Sequence, residues 1–463
     1  MAMDIAWDLS EHIFRTSFED LSMETIHTTK RFILDTLGVA IAGSSAAGVK
    51  EVIDQLDQWG GSPQSTIFGL GKKVPDINAV FANSVMIHAR DFDDTHDGAV
   101  VHANVTVLPT VMALSEEIGG INGASFLTAV ALGNDLTCRL GLAIGKAPGF
   151  SEREIGWVRT AVCGIFGATA SACKILGMEK EKIVDAFGIA LSQIGGTRQV
   201  VTDSALSKRM QPAFMARAAI LSAHLARRGI RGCRDVFEGS YGYFNLYWSG
   251  AYSKQELIED IGKRFEGDNL SFKPYPCCRY THGPIDATLK CIKKNHLTSE
   301  MIGEITVHLV KHNFFNLVSR PFALRGNPSV DAQFSIPYTV ASAILDGYVF
   351  LDSFEPQKVR ERAHHPLIKK VAVLKEDPIK DPESLGPVKV EIKIKSGKVF
   401  SETIEEFKGH PKNTMDEDEC REKFIRCSGY SSKPYSKENL QRIIESVLRL
   451  EKLKNTNDLM ALL

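Results

Sequence analysis

Apolar side chains recur at helical spacing through most of the first half of the chain. Within residues 25–42, Ile33, Leu34, Leu37 and Ile41 fall on one face of a 3.6-residue repeat, and Gly43-Ser44-Ser45 supplies a stop. The same reading predicts helices over residues 48–59, 77–89, 109–119, 123–142, 159–176, 180–191 and 207–228, parted by turns rich in Gly, Pro and Ser. One helix is crowded with small residues, G-I-F-G-A-T-A-S-A at 164–172. That run predicts close approach of helix backbones, and its polar flanks argue against a membrane contact motif.

The period changes after about residue 268. Residues 302–310 alternate through Ile305, Val307 and Leu309, and V-K-V-E-I-K-I-K at 388–395 alternates apolar with charged before a Ser-Gly-Lys turn and V-F-S-E-T-I. This pattern predicts an antiparallel sheet with one wet face. Residues 334–345 and 357–362 read as helices between the strands. From Asp416 the helical signal returns, with Ser436 as an N-cap and Glu438 in the first turn of a helix running to Leu450. The chain is therefore expected to be mainly α, its closing helices packing back on the first domain after an inserted α+β region.

Composition narrows the function classes. At 463 residues, with 44% hydrophobic and 24% charged side chains, the chain is long enough for two or three domains with ample cores. Its 55 Lys and Arg against 56 Asp and Glu leave a formal net charge of -1, so no overall field argues for nucleic acid or an anionic membrane as a partner. Nine scattered cysteines without a C-x-x-C pair favour reduced thiols. The opening residues carry acids where a signal peptide has a basic segment, and no run approaches the length needed to span a bilayer. The expectation is a soluble, cytoplasmic protein.

The chemistry concentrates at residues 88–102, H-A-R-D-F-D-D-T-H-D-G-A-V-V-H, where seven of fifteen residues are Asp or His between two apolar runs. Such a crowd is costly to desolvate unless partnered, which points to a site; the competing reading is a solvated acidic loop. Three more constellations stand far off in sequence: S-K-R-M-Q-P with Lys208 and Arg209, F-K-P-Y-P-C-C-R-Y-T-H with Lys273, Arg279 and His282, and D-A-Q-F-S-I-P-Y with Tyr338. Each has a bland alternative. The two cations can form a solvated face, Cys277 and Cys278 can be core thiols, and Tyr338 can be a core aromatic with its hydroxyl on a carbonyl.

D-D-T-H-D also satisfies the D-D-x-x-D pattern with which all-α terpenoid synthases bind magnesium, through Asp93, Asp94 and Asp97, but the second acidic motif is missing. There is no H-E-x-x-H, no G-x-G-x-x-G after a strand, no Walker lysine and no G-x-S-x-G elbow. Acid/base chemistry by His, Lys, Tyr and Asp remains, with no cofactor and no metal expected.

Nearly the whole chain resembles the MmgE/PrpD family, which includes 2-methylcitrate dehydratase, cis-aconitate decarboxylase and iminodisuccinate epimerase. The likeness rests on D-T-L-G-V-A-I-A-G at 35–43, H-A-R-D-F-D-D-T with the following His102, the G-x-F-G-A helix, S-K-R-M-Q-P, K-P-Y-P-C-C-R-Y-T-H and D-A-Q-F-S-I-P-Y. The resemblance implies an all-α domain from residues 1–267 and 405–463, capped by an inserted α+β lid at 268–404, in a homodimer with the site between domains. The family's active-site pattern carries onto Asp91, Thr95, His102, Lys208, Lys273 and Tyr338. One position departs. Where cis-aconitate decarboxylase-like members have a His in a segment resembling G-F-H-x-T, this chain has Val158, which cannot move a proton, next to Arg159.

The implied substrates are small acids with two or three carboxylates, which need several cations in a closed site. Lys208, Lys273 and Arg279 are expected to supply them, with Asp93, Thr95, His96, Arg159, Arg209 and His282 as further binding groups. Fixed cations stabilise the charge that builds on a carboxylate when the neighbouring carbon loses a proton. His102 is the expected base, oriented by Asp91 or Asp93, and Lys273 or Tyr338 the acid if cationic neighbours lower its pKa. The leading expectation is a hydro-lyase acting on a 2-methylcitrate-like hydroxy acid. A dicarboxylate epimerase or isomerase comes second, ahead of a cis-aconitate-type decarboxylase and a non-catalytic helical binding protein.

Overall fold

A computed structural model describes residues 3–148, 156–310, 315–376 and 385–463. The chain is mainly α. Helices Met23–Gly43, Asp76–His88, Asn104–Glu117, Gly123–Gly145, Arg159–Ile175, Lys180–Leu191 and Gln211–Arg227 pack on one another around a single large core. The small-residue run does what its composition predicts. A Cβ on Gly167 would lie 1.9 Å from Thr137 Oγ1 and 2.4 Å from Gly133 O, so the backbones of Gly123–Gly145 and Arg159–Ile175 meet where no larger side chain fits.

Gly123–Gly145 also corrects an expectation, for by length and composition it is apolar enough to cross a membrane. It is instead a core helix, with its whole apolar window buried. Arg139 on it pairs with Asp135 at 2.9 Å and donates to Glu259 O at 2.9 Å and Arg264 O at 2.6 Å, so this enclosed charge is met on every side.

The helix expected to begin at Pro109 starts at Asn104 and carries Pro109 inside it. Proline removes the N–H that would reach Val105 O, and the Ser84 hydroxyl donates to that carbonyl at 2.7 Å in its place. The N-terminus of the same helix is closed by Asp94, whose Oδ2 accepts from the backbone N–H groups of Ala103 (3.0 Å) and Asn104 (3.4 Å). The acidic stretch is thus plugged into the helix that follows it.

The closing helices return to this core. Glu417–Ser428 lies along Met23–Gly43, and Lys437–Leu448 begins at Ser436, whose hydroxyl accepts from Asn439 N at 3.0 Å. A second core runs from Cys277 to Phe407. Its four strands lie in the order Val371–Glu376, Ile302–Val310, Val388–Ile394, Val399–Ile404. The first pair is parallel, so the sheet is mixed and not antiparallel as the alternation predicts. The additional strand is an edge with no fully buried residue, which is why it left little trace in the pattern. Helices His282–Asn295 and Ile336–Asp346 pack together and against this sheet.

Candidate active site

The helix Asp76–His88 delivers His88, and the chain then turns sharply at Asp91, whose φ of 52° lies in the left-handed region. Val100, nine residues on, is also left-handed, at φ 57°. A β-branched residue there is a rare and costly conformation, and both strained residues line the same cavity. That cavity offers about 120 Å³ to the centre of a water-sized molecule. Among its lining residues are His88, Asp91, Thr95, His102, Lys208 and Lys273.

One carboxylate gathers the two lysines. Asp91 Oδ1 accepts from Lys208 Nζ at 3.0 Å and from Lys273 Nζ at 3.3 Å, and Lys273 also donates to Asp91 O at 3.1 Å. Burial alone would raise the Asp91 carboxyl, but the two ammonium groups outweigh it and hold it well below the usual carboxylate range. Burial would likewise depress Lys273, yet the Asp91 and Asp93 carboxylates hold it above the ordinary lysine value. Lys273 is therefore a fixed cation. This corrects the expectation that neighbouring cations lower its pKa and make it an acid.

A second carboxylate gathers two imidazoles. Asp93 Oδ2 accepts from His88 Nδ1 at 2.8 Å and stands 3.3 Å from His102 Nδ1. Burial would raise Asp93, but the two imidazoles beside it keep it well below its ordinary value. His102 Nδ1 lies 2.6 Å from Asp94 O. A carbonyl only accepts, so Nδ1 carries the proton and the other nitrogen of a neutral His102 is a free base. His88 is pushed down to about 4, chiefly by burial, with Lys208 adding to the effect against the pull of Asp93. Neutral His88 donates through Nδ1 and accepts from Lys208 Nζ at Nε2, 3.2 Å away.

The loop is pinned from outside. Thr95 and Ser271 exchange backbone hydrogen bonds of 3.0 and 2.6 Å, which carries Lys273 to the acidic stretch. Behind Asp91, Lys423 on a closing helix sits 2.7 Å from Asp35, donates to Phe92 O at 3.1 Å and stacks 3.9 Å over the Phe92 ring. Gln333 donates to Arg90 O at 2.8 Å and Pro276 O at 3.0 Å, joining the second core to the same turn.

Several expected binding groups lie elsewhere or are already committed. Tyr338 is buried in the second core, its hydroxyl donating to Ser353 O at 2.6 Å, and burial raises its pKa. The core-aromatic reading describes it. Arg209 donates to Ala47 O at 2.6 Å, outside the cavity lining. His282 is fully buried with Nε2 3.2 Å from Cys277 O, also outside the lining. His96 Nδ1 accepts from Ala99 N at 3.1 Å and faces Glu266 in a neighbouring pocket. Arg279 lines the cavity but is clamped by Asp97 at 3.1 Å, and Arg159 Nη1 donates to Ala99 O at 3.2 Å. Asp93 acts on the imidazoles and is not in the lining.

The sequence reading assigned no role to His88, although it opens the acidic stretch; only the approach of Lys208 reveals its function. Thr160, Arg198 and Phe334 were missed as well, and the ring of Phe334 lies 5.4 Å from Lys208 Nζ. Among the described residues, His88, Asp93 and His102 bring ligand atoms within 4.8 Å of one another and are the set able to hold a metal ion. Both Nδ1 atoms are already hydrogen-bonded to oxygens, so an ion held through them would have to displace the bonds that fix the two tautomers. The magnesium pattern does not converge either: Asp94 caps a helix, Asp97 holds Arg279 and Asp93 faces the imidazoles.

The MmgE/PrpD N-terminal domain matches residues 7–256, and the MmgE/PrpD C-terminal domain matches residues 275–450. Similar curated proteins include the cis-aconitate decarboxylase-like protein oryM of Aspergillus oryzae, 28% identical over 96% of this chain and 94% of its own length. The cis-aconitate decarboxylase of Mus musculus is 28% identical over 95% of this chain and 89% of its own. That of Homo sapiens is 27% identical over 96% and 91%.

Proposed function

The chain belongs to the MmgE/PrpD family, and from that premise we propose that it is a cofactor-independent lyase of a small di- or tricarboxylate. The favoured reaction is that of a hydro-lyase acting on a 2-methylcitrate-like hydroxy acid. The observation that carries the reading is the convergence of Lys208 and Lys273 on Asp91, next to His102 held with its proton on Nδ1.

In this reading the substrate carboxylate meets the two ammonium groups, and His102 Nε2 takes a proton from the adjacent carbon. The electron pair of the broken C–H bond spreads onto the carboxylate, where the fixed cations stabilise it, and then forms the C=C bond as the C–OH bond on the next carbon breaks. Lys208, hydrogen-bonded to His88 Nε2, gives the departing hydroxide its proton and water leaves. This role falls to Lys208 because its ammonium also touches His88, whereas the Asp91 and Asp93 carboxylates hold the proton on Lys273 and Tyr338 lies in the second core.

A carboxy-lyase is the second reading, favoured by the names of the similar proteins. Val158 weighs against it, since it lines the cavity where the resemblance expects His. The proposal extends to residues 268–404 as a lid, which the lining by Lys273, Cys278 and Phe334 supports, and to a homodimer in the cytoplasm, where nine free thiols suit a reducing compartment.

The test is a panel of citrate, methylcitrate, cis-aconitate, tartrate, malate and aminodicarboxylates, incubated in deuterated water with and without EDTA and followed by proton NMR. Hydration or elimination with deuterium incorporation, indifferent to EDTA, is expected. Loss of carbon dioxide would replace the hydro-lyase by the second reading, exchange without elimination would make it an isomerase, and inertness toward the whole panel would overturn the proposal.

A further inference from the structure

The cavity has two unlike sides. The lysine pair, Asp91 and the imidazoles form one; the other is built from Trp157, Val158, Val201 and Trp248. These four come from segments tied to each other. Trp157 bridges to Thr197, Val158 N donates to Gly196 O at 3.3 Å, and the Trp157 ring lies 5.0 Å from that of Tyr247, beside Trp248. Trp157, Val158 and Val201 are only half-buried, so apolar surface is left in the cavity lining. Val100 adds its isopropyl group to the lining from the left-handed conformation described above, where glycine would be free of strain.

Four of the lining cations, Lys208, Lys273, Arg159 and Arg279, are already engaged by groups of the protein. Lys208 and Lys273 share one carboxylate, and Arg279 is clamped by Asp97. Arg159 donates to Ala99 O and Gly141 O, and half-buried Arg198 stands beside the apolar segment. An ionised ligand group seated directly on the indole and isopropyl surfaces would lose hydration that those side chains cannot replace.

We propose that the substrate carries an apolar arm of three or more carbons, aliphatic or aromatic, seated against Trp157, Val158, Val201 and Trp248 while its carboxylates meet Lys208 and Lys273. This rests on the carboxylate-acting reading above and narrows its substrate class. Burying each further methylene of the arm tightens binding about three- to fourfold.

Unreactive succinates test it without turnover. Titration calorimetry on the full chain with succinate, methylsuccinate, propylsuccinate and phenylsuccinate is expected to give affinities rising along the series, propyl- and phenylsuccinate at least about 20-fold above succinate. Trp157→Ala lowers the affinity for phenylsuccinate at least about fivefold more than that for succinate. Val158→Thr keeps the side-chain shape and shifts the ratio in the same direction, so the test survives misfolding of the larger truncation. Equal or falling affinities along the series overturn the apolar arm and leave the carboxylate reading standing. Failure of every succinate to bind, with Lys208→Met calorimetrically indistinguishable from the parent protein, overturns both.

Discussion

Asp91 and Asp93 stand two residues apart, both buried and both ionised, and they organise opposite halves of the cavity floor. Asp91 gathers two ammonium groups, Lys208 at 3.0 Å and Lys273 at 3.3 Å; Asp93 gathers two imidazoles, His88 at 2.8 Å and His102 at 3.3 Å. One half therefore holds charge still and the other holds tautomers still. A carboxylate next to lysines neutralises part of their field and keeps them close enough together for one ligand group to meet both. A carboxylate next to histidines decides which ring nitrogen is basic.

If the halves divide the work in this way, substitutions in them will fail differently. The largest effect is expected from His102→Gln, which removes the free basic nitrogen but keeps a donor toward Asp94 O. Turnover falls about 10³- to 10⁴-fold and substrate-dependent deuterium exchange falls with it, while KM stays within a few-fold. Exchange persisting at the parent rate would move the base elsewhere and dissolve the distinction.

Lys208→Met strikes the other half. It removes a cation that touches both Asp91 and His88, so the substrate carboxylate loses a partner in the ground state and in the transition state alike. A loss of about 10²- to 10³-fold in kcat/KM is expected, shared between KM and kcat. Initial-rate kinetics over a substrate range reads the split; a loss confined to kcat would make Lys208 a proton donor only.

These two halves were unevenly legible beforehand. The density of Asp and His over residues 88–102 marks the place, because so many charges between apolar runs require partners. Which Asp does what was not legible, since Asp91, Asp93, Asp94 and Asp97 meet lysines, imidazoles, a helix N-terminus and Arg279 respectively, and the first and last of these contacts are set by chain elsewhere in the fold. Lys208 and Arg209 look alike in sequence. They occupy successive positions of the 3-10 turn Leu206–Met210, where neighbours point about 120° apart, so one reaches the cavity and the other Ala47 O. Tyr338 failed for the same kind of reason. Ser335 caps the helix Ile336–Asp346 and fixes Tyr338 in its first turn, facing Ser353 O. Helix existence was read well from periodicity, whereas the early start at Asn104 depends on Ser84 and Asp94, which pattern alone does not register.

Asp93→Asn probes the imidazole half more gently. The amide keeps the shape but presents a donor as well as an acceptor to two Nδ1–H groups. His102 retains its bond to Asp94 O at 2.6 Å, so its tautomer survives. The expected loss in kcat is about tenfold, well short of what a base with a single orienting partner suffers. A loss approaching that of His102→Gln would mean that Asp93, and not the Asp94 carbonyl, fixes the ring.

The smallest effect concerns stability, and here the carboxyl of Asp94 opposes its neighbour His88. His88 is pushed down to about 4 from an ordinary 6.5, so its contribution to stability is whole above pH 6.5 and drains away as pH falls toward 4, by about 3 kcal/mol in all. Asp94 is pushed up to about 6 from 3.8, first by burial and then by Asp93, so its contribution is whole below 3.8 and is lost as pH rises through 6. Between pH 7 and 5 the gain from Asp94 offsets most of the loss from His88. Asp94→Asn keeps an acceptor for the Ala103 and Asn104 N–H groups but cannot titrate, and so leaves the His88 loss uncovered. Denaturant unfolding of the variant is expected to show about 1 kcal/mol more destabilisation from pH 7 to pH 5 than the parent protein does. Parallel profiles would show that Asp94 is ionised across this range and that the imidazole half contains two permanent negative charges instead of one.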